Sequence, residues 1–149
     1  MMHITRCTGK DETFAAMVAE LDEELNDRYG EQMEFFSPHN HSLDVKHALV
    51  VYWDGIPVGC GCFKPFSADT VEMKRIFVQK AYRGRKLARA VMAELEAWAK
   101  EEGYAFAVLE TGVLQPEAIR LYEAAGYGRI PNYPPYEGVK ESVCFQKTL

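Results

Sequence analysis

The hydrophobic positions along the chain recur at two different spacings, which separate helical from extended segments. Apolar residues spaced three or four apart predict a helix over residues 11–27, capped by Asp11, with an apolar face made of Phe14, Met17, Val18, Leu21 and Leu25. The same spacing predicts a second helix over residues 87–100. A third helix is expected to begin at Pro116 and to end at Gly126, since proline suits a first helical turn and glycine a helix end.

Short apolar runs between these helices predict β-strands at residues 3–7, 48–53, 56–63, 70–78, 105–109, 127–130 and 142–147. Asp54-Gly55 is a strong hairpin signal between the second and third strands. The element order predicts one α/β (α+β) domain over residues 1–149. Its sheet should be mixed and mostly antiparallel, with one parallel pair joined by the helix at 87–100.

Composition and charge narrow the class of protein. Hydrophobic residues make up 48% of the 149-residue chain and charged residues 26%, as in ordinary globular proteins. The net charge is −5, which disfavours nucleic acid as a partner and is compatible with a cationic substrate. The sequence shows neither a secretory signal nor an apolar run of membrane-spanning length, so we expect a cytoplasmic protein with no membrane partner.

The cysteines and histidines do not predict a metal site. Cys60 and Cys62 have the spacing that places both on one face of a strand, and we expect buried, reduced thiols there. His39 and His41, with His47 nearby, lack a carboxylate or cysteine at metal-site spacing and are typical of a solvated loop. The sequence therefore predicts no metal cofactor.

A basic, glycine-containing loop at residues 79–86 separates the strand at 70–78 from the helix at 87–100. A helix N-terminus attracts anions, and Arg83, Arg85, Lys86 and Arg89 add positive charge. The loop lacks both the GxxxxGK[ST] and the GxGxxG patterns of nucleotide-binding folds. By itself it is compatible with phosphate binding and equally with a solvated basic loop.

Two segments resemble the GNAT superfamily of N-acetyltransferases, and the resemblance covers essentially the whole chain. Residues 71–88 are similar to the family's strand, pyrophosphate loop of the form Q/R-x-x-G-x-G/A, and helix; Arg83 and Ala88 match its ends, whereas Lys86 replaces a glycine of the loop. Residues 115–127 resemble the N-x-x-A-x-x-L-Y-x-x-x-G-F/Y stretch. Gln115 replaces its asparagine, and the matching residues are Ala118, Leu121, Tyr122, Gly126 and Tyr127.

The resemblance implies acetyl-CoA as cosubstrate, and a strand 74–78 that splays from the strand 105–109. It implies that the pantetheine arm pairs with the backbone of Ile76 and Val78, and that an N–H near Ile76 donates to the thioester oxygen. Tyr122 corresponds to the tyrosine that protonates the leaving thiolate. The implied cosubstrate-binding residues are Ile76, Phe77, Val78, Arg83, Gly84, Arg85, Lys86, Leu87, Ala88, Gln115, Ala118 and Tyr122.

The base and the acceptor are less determined by the sequence. A protonated alkylamine has a pKa of about 10.4, so a group must take its proton directly or through water. Glu72 and Glu110 are the two candidate carboxylates, and a water chain without a dedicated side chain is the third possibility. Glu34 or Glu137 could attract a cationic acceptor, and the aromatic residues expected to line its site are Tyr29, Phe35, Phe36, Tyr133 and Tyr136.

The function that the resemblance implies is acetyl transfer from acetyl-CoA to a primary amine of a small molecule, amino acid, peptide or protein. The amine attacks directly in a ternary complex, with Tyr122 as general acid. The alternative is a catalytically silent acyl-CoA-binding sensor or interaction module on the same fold, which Lys86 favours. Many members of the family dimerise, so a homodimer is an expectation without an identified interface.

Overall fold

The strands and helices follow one another in the order that the sequence predicts. The structure is a computed structural model that describes residues 1–29 and 44–149. Its helices are α1 (Glu12–Tyr29), α2 (Leu87–Glu101) and α3 (Pro116–Ala124), and a 3₁₀ turn, Lys80–Tyr82, precedes α2. Its strands are β1 (Met2–Cys7), β2 (His47–Trp53), β3 (Ile56–Pro65), β4 (Thr70–Val78), β5 (Phe106–Gly112), β6 (Gly128–Ile130) and β7 (Ser142–Thr148).

Local side-chain chemistry places several of these boundaries. The Asp11 carboxylate accepts a hydrogen bond of 2.9 Å from the backbone N–H of Phe14, which is the predicted cap of α1. Asp54 and Gly55 have φ values of 51° and 82°, the left-handed pair that a tight two-residue hairpin between β2 and β3 requires. Gly126 follows α3 with a φ of 96°, as expected for a helix-ending glycine.

The described strands form one seven-stranded sheet in the order β1-β2-β3-β4-β5-β7-β6. All neighbouring pairs are antiparallel except β4 and β5. A parallel pair needs a crossover connection, which α2 supplies. The predicted mixed, mostly antiparallel sheet with one parallel pair is therefore confirmed.

The sheet carries α1 on one face and α2 with α3 on the other. Leu49 and Val51 belong to the core under α2, whereas Ala48 and Val50 belong to the core under α1, as the two-residue strand period requires. Cys60 and Cys62 are fully buried on the α1 face, as predicted. Burial raises the pKa of the Cys62 thiol to about 12, so it stays protonated at neutral pH.

Strands β4 and β5 pair only over their first residues and then separate. Residues Thr70–Glu72 pair with Phe106–Val108. The predicted splay is present, but it begins later along β5 than expected, because residues 106–108 are still paired. The opening lies between residues 73–78 of β4 and 109–112 of β5.

A β-bulge lies in β4 at this opening. Cys62 is opposite Lys74 and Cys60 is opposite Phe77. The single residue Gly61 of β3 therefore lies opposite two residues of β4, Arg75 and Ile76. Met73 packs in the core under α2, whereas Phe77 packs in the core under α1. The bulge thus reverses which face of the sheet each later side chain of β4 occupies.

No helix in the described part of the chain is long and apolar enough to cross a membrane. Within residues 1–29 and 44–149, no group of three or more His, Cys, Asp or Glu side chains is arranged to hold a metal ion. The extent of one domain over residues 1–149 stays a prediction.

Candidate active site

A cleft of about 590 Å³ lies between the splayed end of β4, the N-terminus of α2, and α3. Of the twelve residues predicted to bind the cosubstrate, all but Arg85 line it. They are Ile76, Phe77, Val78, Arg83, Gly84, Lys86, Leu87, Ala88, Gln115, Ala118 and Tyr122. Two sequence segments that lie far apart in the chain therefore form the two walls of one cleft.

The N-terminus of α2 provides an anion-binding edge to this cleft. Lys86 is its N-cap residue and has the left-handed conformation, with φ 62° and ψ 23°. The first turn contains no acidic residue and no side chain caps its N–H groups. Glycine adopts a left-handed backbone without strain, which explains why the family pattern has a glycine at this position. Lys86 adopts the left-handed conformation in its place. The positive end of the helix dipole then favours a phosphate group.

Two arginines of the loop are held differently. Arg83 donates from Nε to the carbonyl oxygen of Val78 at 2.8 Å, and its guanidinium pairs with the Glu24 carboxylate at 2.7 Å. Arg85 lies outside the cleft lining, with its guanidinium 5.0 Å and 5.4 Å from the ring centres of Trp53 and Tyr82. A phosphate contact from Arg85 stays a prediction.

Helix α1 contributes residues to the cleft that the sequence analysis missed. Leu21 and Glu24 line it, together with Tyr82, Arg89, Glu117 and Leu121. Nothing in the pattern of α1 distinguishes Glu24 from the other carboxylates on its polar face. Its role depends on the packing of α1 against β4, which is a tertiary contact.

Tyr122 projects from α3 into the cleft lining and is 7% exposed. Its ring centre lies 6.3 Å from that of Tyr127 and 6.2 Å from that of Phe145, so the core fixes its position. Burial, and secondarily the charge of Glu110, raises the pKa of Tyr122 above its usual range. The hydroxyl therefore remains protonated at neutral pH and can donate a hydrogen bond.

The two candidate carboxylates lie on the opposite face of the sheet, at the point where β4 and β5 separate. Val71 and Met73 pack under α2. Because successive side chains of a strand alternate between its two faces, Glu72 and Lys74 face the α1 side. On β5, Leu109 packs under α2 and the next residue, Glu110, faces the α1 side. The structure therefore brings Glu72 and Glu110 together, although they are distant in the sequence.

The surroundings of the two carboxylates differ. Glu72 is 5% exposed and accepts a hydrogen bond of 2.8 Å from the Tyr133 hydroxyl, with the Lys64 and Lys74 ammonium groups at 3.7 Å and 3.9 Å. Glu110 accepts a hydrogen bond of 2.7 Å from the Ser142 hydroxyl. Burial raises the pKa of Glu110 to about 7, although Ser142 and Lys74 act in the opposite direction.

The structure describes only some of the aromatic residues predicted to line the acceptor site. Tyr133 and Tyr136 are buried, and the Tyr133 hydroxyl contacts Glu72 rather than an open surface. Phe66, which is 43% exposed, packs edge-on against Tyr133 with ring centres 4.9 Å apart. The side chain of Tyr29 and the residues Glu34, Phe35, Phe36, His39 and His41 lie outside the described part of the structure.

These positions place a phenol and a carboxyl on the two sides of one opening. Tyr122 lines the cleft on the α3 side, and Glu110 faces the α1 side at the mouth of the splayed strands. Such an arrangement can take a proton from one reactant and provide one to the other.

The chain is similar to known acetyltransferases. Residues 12–127 match the Acetyltransferase (GNAT) family. The chain is 31% identical to an IAA acetyltransferase of Azospirillum brasilense over 157 aligned positions, which cover 98% of this chain and 97% of that one. A solved Klebsiella pneumoniae structure, described as an acyl-CoA N-acyltransferase, has a TM-score of 0.83 at 31% identity and covers 100% of this chain and 98% of its own.

A further solved structure, the paia N-acetyltransferase of Thermoplasma acidophilum in complex with coenzyme A, shares the fold. Its TM-score is 0.75 at 14% identity, and the match covers 100% of this chain and 99% of the other. The family match spans most of the chain and includes both segments that form the cleft. The chain belongs to the GNAT family of acetyltransferases.

Proposed function

We propose that this protein transfers the acetyl group of acetyl-CoA to a primary amine, with Glu110 as general base and Tyr122 as general acid. One observation carries the proposal: a protonated phenol and a carboxyl with a pKa of about 7 lie on the two sides of the opening between β4 and β5. A base is most effective when its pKa is near the working pH, which Glu110 satisfies.

The cleft suits acetyl-CoA in its size and in the polarity of its ends. The N-terminus of α2, with Arg83 and Lys86, would hold the phosphate groups. The unpaired edge of β4 near Ile76 would hold the pantetheine arm, as a neighbouring strand would. The related fold from Thermoplasma acidophilum was solved with coenzyme A, which supports the same cosubstrate here.

In the proposed reaction the amine nitrogen attacks the thioester carbon, and the carbon–sulfur bond breaks. Glu110 takes the proton that the amine loses. A backbone N–H near Ile76 donates a hydrogen bond to the thioester oxygen as negative charge develops on it. Tyr122 gives its proton to the leaving thiolate and recovers one from solvent. The products are an acetylated amine and coenzyme A.

Glu110 is preferred to Glu72 as the base because of what each carboxylate contacts. Glu72 accepts a hydrogen bond from the Tyr133 hydroxyl and has the Lys64 and Lys74 ammonium groups within 4 Å, so its carboxylate is already engaged by three neighbours. Glu110 has one hydroxyl partner among the described residues, and burial makes it bind a proton near neutral pH. We therefore assign Glu72 to the electrostatic surroundings of the base.

The test is the release of free thiol from acetyl-CoA in the presence of a panel of primary amines, amino acids and peptides. Turnover with at least one amine supports the proposal. A thermal shift with acetyl-CoA but no turnover on any member would instead support the acyl-CoA sensor. Glu110→Gln and Glu72→Gln form a matched pair. The variant that loses the acidic limb of the pH–rate profile identifies the base, and a limb kept in both points to water.

A further inference from the structure

The connection between β6 and β7, residues 131–141, together with Ser142 at the start of β7, holds both carboxylates of the site. We refer to residues 131–142 as the β6–β7 loop. The Tyr133 hydroxyl donates to Glu72 at 2.8 Å, and the Ser142 hydroxyl donates to Glu110 at 2.7 Å. Glu72 and Glu110 are on different strands, so one surface loop supplies a hydrogen-bond donor to each.

The side chain of Asn132 organises the backbone of this loop. Its Nδ2 lies within hydrogen-bond distance of three backbone carbonyl oxygens, at 3.2 Å from Tyr136, 3.1 Å from Val139 and 3.1 Å from Ser142. Three successive turns within the loop are closed by backbone hydrogen bonds, from Tyr136 to Tyr133, Val139 to Tyr136 and Ser142 to Val139. The carbonyls therefore converge on one amide, and the positions of Tyr133 and Ser142 depend on it.

The loop is packed against the core on the side that faces α1. Tyr133 and Tyr136 form a small apolar cluster with Val108, which lies two residues before Glu110 on β5, and with Cys144, which pairs with Glu110 from β7. Ser142 is 4% exposed, so its hydroxyl exchanges little with water. A buried hydroxyl that donates to a carboxylate stabilises the charged form, and such hydrogen bonds are stronger than those between neutral groups.

We propose that the β6–β7 loop is a positioning clamp, in which Asn132 fixes Tyr133 and Ser142, and these two hydroxyls fix Glu72 and Glu110 for proton removal from the acceptor. The inference rests on the proposed function, in which Glu110 is the base. It assigns positioning roles to Asn132 and Ser142, which the sequence motifs do not mark. The groups that act on Glu110 are Glu72 and Lys74 on β4 and Ser142 on β7, and the charge of Glu110 acts in turn on Tyr122 of α3, Tyr136 of the loop and Cys144 of β7.

The clamp makes a directional prediction about proton affinity. The Ser142 hydroxyl lowers the pKa of Glu110, against the larger effect of burial. Ser142→Ala is therefore expected to raise the midpoint of Glu110 titration by about one pH unit, the amount that loss of one hydrogen bond to a charged group implies. Ser142→Thr keeps a hydroxyl and should leave the midpoint where it is. Asn132→Ala should move the midpoint in the same direction as Ser142→Ala.

The experiment is NMR titration of the side-chain carboxyl carbons in the full chain labelled at glutamate, with the Glu110 signal assigned by its loss in Glu110→Gln. Ser67→Ala is the matched control, because its exposed hydroxyl donates to Asp69 and not to Glu72 or Glu110. An unmoved midpoint in Ser142→Ala would overturn the clamp. A midpoint that moves equally in Ser142→Thr would also overturn it, since the hydroxyl would then not be the cause.

A second measurement separates the clamp from the proposed base. If Glu110 is the base, the acidic limb of kcat/KM for the amine moves with the NMR midpoint. In Ser142→Ala, kcat/KM at a fixed pH below the midpoint should then fall about tenfold. A midpoint that moves by NMR while the limb stays in place supports the clamp and rejects Glu110 as the base. A role of Asn132 in folding alone would lower kcat at every pH without moving either midpoint, and that result would overturn its positioning role.

Discussion

Replacement of Glu110 by glutamine is expected to stabilise the folded protein while it removes the proposed base. Burial raises the pKa of Glu110 from 4.5 to about 7. Between these values the folded chain holds a proton that the unfolded chain has released. The contribution of Glu110 to the free energy of unfolding therefore falls as the pH rises through this window. Above about pH 7 that contribution has been lost completely.

The size of the effect follows from the same two values. A tenfold change in proton affinity corresponds to about 1.4 kcal/mol, so ionised Glu110 lowers the free energy of unfolding by about 3 kcal/mol at pH 8. Glutamine keeps an oxygen for the Ser142 hydroxyl, but it adds an NH2 group whose burial costs about 1 kcal/mol. We expect a net gain of about 2 kcal/mol, or about 4–8 °C in Tm for a chain of this length.

The assay is thermal unfolding of the parent and Glu110→Gln at pH 5 and at pH 8. The gain in Tm should be small at pH 5, where the folded parent is protonated, and should reach its full size at pH 8. Glu123→Gln is the control, because it removes the same charge from an exposed position on α3 and should change Tm equally at both pH values. A Glu110→Gln protein that is less stable than the parent at pH 8, or equally stabilised at both, would refute the burial argument.

Three further predictions concern the cleft. Tyr122→Phe keeps the ring packing and should lower kcat at least about tenfold, measured by thiol release; an unchanged kcat would remove Tyr122 as the acid. Lys86→Gly relieves a left-handed residue (φ 62°) and should raise the free energy of unfolding by up to about 1 kcal/mol, whereas Gly84→Ala (φ 82°) should lower it. The opposite order would mean that backbone strain does not govern this loop. Glu24→Gln releases Arg83 from its ion pair and should lower the KM for acetyl-CoA about two- to fivefold at low salt; an unchanged KM would show that Arg83 does not bind the phosphates.

The order of strands and helices, and the residues at their ends, could be predicted from the sequence because the signals are local. The Asp54-Gly55 turn, the Asp11 cap and Pro116 in the first turn of α3 each act within a few residues. The parallel pairing of β4 with β5 follows from an intervening helix. The two cleft-forming segments could be identified for the same reason, since each is continuous in the chain.

The site itself could be predicted only in part. Of the two carboxylates, sequence reasoning gave no basis for preferring Glu110, because the partners that distinguish them come from elsewhere in the chain. Glu72 meets Tyr133 and Lys64, and Glu110 meets Ser142, only after β4, β5 and the β6–β7 loop have packed together. The contribution of Glu24 to the cleft likewise depends on the packing of α1.

The tertiary structure alone decided how far β4 and β5 pair, where the β-bulge lies and how strongly Glu110 holds its proton. Strand pairing ends at Glu72 and Val108, and the bulge at Arg75 reverses the faces of the residues that follow. Proton affinity depends on the loss of water around the carboxyl and on charges brought near it by folding. Hydrophobic periodicity and turn chemistry act over a few residues and so are written in the sequence, whereas burial and electrostatic coupling exist only between segments that folding brings together.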